Sequence, residues 1–285
     1  MAEFVTKIRT DKGDLPIDYN ALANKPELNN MFSNPNLLIN SDFRNPINQR
    51  GNTIYNETTE RYGVDRWLIY NGVIEEVKSG CITLRNTLNQ TAWFGQHFEF
   101  VLANNESYVI TVNVGSITGN VNVCMSNMND NHTVLRTLKS GINTFVVAPS
   151  EMIANMERLI FTFEAGAAID LVYVKLERGT TPTPFVGRLY DDELMICRRY
   201  YRKYWTSMLF PQFYSNQYCG FVFDTPMRRD PTVKTFSILS TNDNSSIGTN
   251  VEVYAQGVYK FYVTEGYAEK AILVPMLELD AEIYH

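Results

Sequence analysis

The chain has little of what catalysis, metal binding or secretion requires. Its 285 residues include three histidines (His97, His132, His285) and four cysteines (Cys81, Cys124, Cys197, Cys219). No H-E-x-x-H or C-x-x-C spacing is present, so nothing points to a transition-metal site. No G-x-S-x-G elbow, Walker loop or G-x-G-x-x-G turn occurs, which removes the common hydrolase and nucleotide-binding signatures. The short-period repeat of a parallel β-helix is also missing. The cysteines lie far apart and read as small apolar core residues of a protein made in a reducing cytosol, with a disulfide between distant strands as the alternative. No run of about 18 apolar residues exists, so no membrane insertion is expected. Met1 to Thr10 carries early charges and no apolar stretch, unlike a signal peptide. A formal net charge of -6 argues against a general nucleic-acid or anionic-membrane surface.

What is present reads as strand after strand. With 45% hydrophobic and 20% charged residues, most of the chain can bury a core. Residues 1–35 are polar and broken by Gly13, Pro16, Pro26 and Pro35. They cannot fold alone, although 18–23 has room for a helical turn or two. From 36 to 188, period-2 runs alternate with Gly, Asn and Asp clusters. These runs include 36–40, 92–102, 108–114, 133–138 and 169–176. That spacing predicts an antiparallel β-sandwich or jelly roll. Over 189–205 the period changes, with Leu194, Cys197, Tyr201 and Trp205 at helical spacing, Asp191, Asp192 and Glu193 early, and Arg202 and Lys203 late. A short connecting helix with a solvated charged face accounts for Arg198, Arg199, Arg202 and Lys203 better than a nucleic-acid site does. Residues 206–285 return to strands and make a small β domain, too small for a secure core yet rich in Tyr and Phe. Oligomerisation, as in a homotrimer, would bury that surplus.

Candidate ligand residues come from the 92–102 strand. Phe94, Phe98 and Phe100 fall on one side, and Trp93, His97 and Glu99 on the other. Trp93 and His97, with Gln96 or Arg85 nearby, give the aromatic-plus-polar mixture that saccharides favour. The alternative is that Trp93 packs between the two sheets. Trp67 opens an apolar strand and reads as core. No cofactor is indicated beyond a structural calcium ion, for which Asp42 or Asp170 could supply oxygens. Acidic residues are plentiful, but no two stand out as a glycosidase pair.

Several ordered blocks resemble a known family. Asn36-Leu37-Leu38-Ile39-Asn40-Ser41-Asp42-Phe43, then Gln49-Arg50-Gly51 and Asp65-Arg66-Trp67, resemble the start of a jelly-roll domain of phage and prophage tail proteins. That domain is similar to carbohydrate-binding modules of the galactose-binding-like type. Val174-Lys175-Leu176-Glu177-Arg178-Gly179, Thr183-Pro184-Phe185, and the run from Asp192 to Tyr201 look like its usual exit. Residues 18–26 resemble a segment near the N-termini of tail-fibre proteins. Pro226-Met227-Arg228, Asp230-Pro231-Thr232-Val233 and Leu279-Asp280-Ala281-Glu282-Ile283 resemble the β-rich piece that follows the jelly roll.

The resemblance implies a non-enzymatic virion protein, made in the host cytoplasm and carried on the particle. It would be a trimeric tail-fibre or receptor-binding subunit touching host-surface polysaccharide, with residues 1–35 meeting other virion proteins. A purely structural fibre or decoration subunit of baseplate, neck or head is the second expectation, and a polysaccharide-degrading enzyme the third. The quoted blocks look like scaffold positions and map no sugar site.

Overall fold

The computed structural model describes residues 7–10, 13–16, 33–56, 60–70, 73–90, 92–127, 129, 131–204, 208–213, 219–240, 249–263 and 270–282. Lys7–Thr10 (β1) and Gly13–Pro16 (β2) form an antiparallel hairpin that the breakers in this segment did not suggest. The helical turn expected over 18–23 lies outside the described residues.

The sandwich is built from Ile54–Asn56 (β3), Arg61–Tyr62 (β4), Leu68–Tyr70 (β5), Val73–Lys78 (β6), Cys81–Asn86 (β7) and Ala92–His97 (β8). Tyr108–Thr118 (β9), Val121–Ser126 (β10), Arg136–Thr137 (β11), Gly141–Val147 (β12), Arg158–Phe163 (β13) and Ala168–Arg178 (β14) complete it. One six-stranded sheet runs β11-β10-β13-β8-β5-β4 and the other β12-β9-β14-β7-β6-β3. Pairing within both is antiparallel, as the alternation predicts. Tyr108, Ile110, Val112 and Val114 of β9 face Phe94, Phe161 and Phe163 in one core. Trp67 is fully buried there, stacked on Phe94 at 4.9 Å. Burying each such side chain contributes roughly 1.5–3 kcal/mol. Lys78 pairs directly with Cys81, so Ser79 and Gly80 make a two-residue turn, and Gly80 takes φ +86°, which a side chain would oppose.

Several expected strands are shorter or absent. Residues 36–40 form no strand, and 37–40 are bends. They lie against β14 through Leu37 N–H to Leu176 O and Val174 N–H to Ser41 O. The 92–102 strand stops at His97, and 133–138 reduces to β11.

A strap after β14 closes over the sheet through a buried ion pair. Lys175 Nζ lies 3.0 Å from Glu177 Oε2, and both side chains are essentially inaccessible. The ammonium also donates to Ser33 Oγ, Thr183 Oγ1 and the carbonyls of Thr183 and Pro184. Glu177 accepts from the N–H and hydroxyl of Thr183.

The connecting helix covers Tyr190–Cys197 (α1) and not the whole of 189–205. Asp191, Asp192 and Glu193 occupy its first turn, where the dipole favours them. It ends because Tyr201–Tyr204 (β15) is captured as a strand by Lys270–Asp280 (β21), with Tyr201 opposite Asp280. Arg202 and Lys203 therefore sit on a strand. Met208–Phe213 (β16) continues along the same edge of β21, and Thr232–Ser240 (β18) takes the other edge. Cys219–Val222 (β17), Thr249–Tyr254 (β19) and Gly257–Val263 (β20) form a separate three-stranded sheet in the order β17-β20-β19.

Cys124 and Cys197 are buried free thiols, as expected of core residues, but Cys81 is half-buried. The side chain of Cys219 is outside the described residues. Among the described residues, no helix is long and apolar enough to cross a membrane.

Candidate functional site

The four residues expected to contact a ligand do not share one surface. Trp93, opposite in parity to core Phe94, faces outward from its sheet. Gln96 points inward and is 1% exposed. Its amide donates to Ile39 O and accepts from Ile39 N–H, so it ties the 36–40 segment to β8. His97 is 2% exposed, and its carbonyl accepts from Arg66 Nη2. Arg85 follows core Leu84 on β7, so it lies on the outer face of the opposite sheet, paired with Glu76 at 3.3 Å.

Around Trp93 the register assembles a different set. Tyr70 of β5 and Thr162 of β13 pair directly with Trp93. Asn122 of β10 pairs with Thr162, and Thr137 of β11 with Asn122. Directly opposed residues point to one face. Tyr70, Trp93, Thr162 and Asn122, half-exposed, and Thr137, exposed, therefore form a row across five strands, roughly 19 Å at the usual inter-strand spacing. Tyr70 and Trp93 stack at 5.1 Å, and Arg158 lies 5.2 Å from the Trp93 ring centroid. Thr137 Oγ1 donates to Asn122 Oδ1. Beside Trp93, Gly95 admits no side chain, since a Cβ would come within 2.5 Å of Leu159 O. Sequence marked Trp93, but its row partners depend on pairings that no local signal encodes.

The calcium expectation finds no support in the carboxylates named for it. Asp42 is engaged by the Arg44 guanidinium at 2.6 Å. Asp170 accepts from the hydroxyls of Ser116 and Thr83, which outweigh its partial burial and hold it below the usual carboxylate range. Among the described residues, no group of three or more His, Cys, Asp or Glu side chains is placed to hold a metal.

A second assembly joins the sandwich to the C-terminal strands. Arg66, with φ +73°, pairs with Glu282 at 2.7 Å, and both are fully buried. Its guanidinium lies 3.6 Å from the Tyr200 ring centroid. Arg50 lies 3.8 Å from the Tyr201 ring centroid and pairs with Asp65 at 3.2 Å and Glu282 at 3.6 Å. Gln49 Nε2 bridges Asp65 and the Tyr201 carbonyl. Burial raises the Asp65 carboxyl despite the pull of Arg50 and Gln49. Glu75, on the sandwich side, is pushed up to about 8 by burial, because only the Val64 N–H supports its charge directly. The quoted blocks around Asn40, Gln49, Asp65, Glu193 and Glu282 thus converge on one seam. At its outer rim opens a cleft of about 570 Å³, lined from both sides by residues including Asn52, Arg61, Lys203, Lys234 and Glu278.

No family model matches the chain, and no curated protein matches it. Solved structures of family 29 carbohydrate-binding modules are similar to it. One point variant has a TM-score of 0.32 at 10% identity, covering 48% of this chain and 96% of that one. A second has a TM-score of 0.34 at 12% identity, covering 55% and 99%. A third, solved with mannohexaose, has a TM-score of 0.32 at 9% identity, covering 46% and 92%.

Proposed function

We propose that this protein is a glycan-contacting structural subunit of a phage virion appendage, working as a homotrimer through its C-terminal strands and attached to the particle through residues 1–35. The observation that carries the glycan reading is the Tyr70–Trp93 stack continued by Thr162, Asn122 and Thr137 on one accessible sheet face. Aromatic carbon meets the C–H faces of a sugar, while hydroxyl and amide groups meet its hydroxyls. A five-strand row suits an extended saccharide. Weak contact at one copy becomes useful when several copies engage together. The virion part rests on the ordered blocks, some of whose polar side chains, among them Asn40, Asp65, Arg66 and Glu282, meet in the buried seam.

Competition for host adsorption tests this reading. Purified wild-type protein should block adsorption of the cognate phage, and Trp93→Ala should block at least tenfold less well at unchanged thermal midpoint. Asn122→Ala, which leaves the aromatic stack intact, should weaken the competition less. Full competition by Trp93→Ala would remove the sheet face as the contact. The second reading is a purely structural subunit, favoured by the burial of block residues such as Asn40, Asp65, Arg66, Glu177 and Glu282. Wild-type protein without effect on adsorption would establish it. Release of reducing ends from host polysaccharide would instead revive an enzyme.

A further inference from the structure

We propose that the cleft between the sandwich and the C-terminal strands is a second ligand site, which takes the anionic group of a carboxylate- or phosphate-bearing saccharide. The saccharide part rests on the glycan reading above; the preference for an anion rests on the cleft alone. At about 570 Å³ the cleft has the size of a ligand pocket, and junctions between units are where such pockets concentrate. Three elements bring cations to it: Arg61 from β4, Lys203 from β15 and Lys234 from β18. Arg61 is exposed, Lys203 is half-buried, and the Lys234 side chain is 46% exposed. The register of β18 against β21 slips between Val233 and Thr235, so Lys234 is the extra residue of a bulge. Bulges re-aim side chains, and this one aims a cation into the cleft.

The two carboxylates on the wall, Glu278 and Asp280, already have partners within the protein. Glu278 accepts from the Tyr201 hydroxyl at 2.5 Å. Asp280 is 4% exposed, accepts from the Glu282 N–H at 2.9 Å and pairs with Lys234 at 3.8 Å. On a chain of net charge -6, a concavity with cations at its mouth concentrates anions against the overall field. Its tyrosines, Tyr55, Tyr62 and Tyr201, are 4%, 0% and 1% exposed, so no ring face is offered for stacking. Recognition here would run through charge, in contrast to the Trp93 row.

Calorimetric titration of the full chain at low salt would use three probes: a short oligogalacturonate, a glycerol-phosphate oligomer and a neutral galactan oligomer. At least one anionic oligomer should bind, with an affinity that falls steeply as salt rises. The double variant Arg61→Ser/Lys234→Ser should weaken that binding at least tenfold without moving the thermal midpoint. Asn52→Trp, which fills the mouth without changing a charge, should do the same. Binding of oligogalacturonate alone marks a carboxylate site, and binding of the phosphate oligomer alone a phosphate site. Anion binding that survives both variants overturns the proposal. Neutral-oligomer binding sensitive to Trp93→Ala, with no anion bound, overturns the cleft alone. No binding of any oligomer overturns the cleft together with the glycan reading.

Discussion

Two buried ion networks hold this molecule, and they are built differently. In the strap, Lys175 and Glu177 are two residues apart on β14, and Thr183 closes both from a few residues further on. Every partner but Ser33 Oγ, 142 residues away in the chain, is local, and each charge is surrounded by protein donors or acceptors. In the seam, Arg66 and Glu282 are separated by 216 residues. There, among the described residues, Arg50 Nη2, Arg66 Nε and Glu75 Oε2 are buried with no hydrogen-bond partner. Short chain distances let a polar network be completed in detail. A joint between units brought together by folding leaves groups that need water or a proton. The strap is a closed latch, whereas the seam is a joint whose strength depends on conditions.

The contrast can be tested most severely at Glu282. Glu282→Ala strands Arg66 in a buried site and should cost about 3–5 kcal/mol in denaturant unfolding. A loss below about 1 kcal/mol would mean that water reaches the seam, and the comparison would collapse. The next test is pH. Glu75 titrates near 4.5 when exposed and near 8 in the fold, so between these values the unfolded chain binds fewer protons. Stability should therefore fall as pH rises from about 4.5 to about 8, by on the order of 5 kcal/mol, and level off above. Asp65, raised to about 7 by the same burial, titrates in the same window, so Glu75→Gln should lessen the slope in thermal melts without abolishing it. In the latch, Thr183→Val removes the hydroxyl shared by both charges and should cost about 1–3 kcal/mol at every pH. Arg85→Ala, which breaks only an exposed pair with Glu76, should change stability by less than about 0.5 kcal/mol.

Much of the fold was legible because burial on one face imposes period 2. The alternation of 108–114 and the placement of Trp67 in the core followed from that alone. The helix was overextended because Cys197, Tyr201 and Trp205 satisfy a four-residue spacing. Capture of Tyr201–Tyr204 by a strand near residue 280 leaves no local trace. Gln96 was misplaced for a related reason. An amide in a strand reads as a ligand donor, and its real partner is the backbone of Ile39, 57 residues earlier. Trp93 could be picked out as an outward aromatic, but Tyr70, Asn122 and Thr137 join it only once the register is known.

The pairing of Tyr201 with Asp280, followed by Ala281 N–H to Tyr200 O, puts the entry and exit of the C-terminal strands side by side. Everything between them is therefore an insert hung from two adjacent threads. Arg66 and Glu282 lie outside the insert and would remain if it were exchanged. Both ends of the C-terminal strands are thus tied down at the seam, where Arg66 meets Glu282.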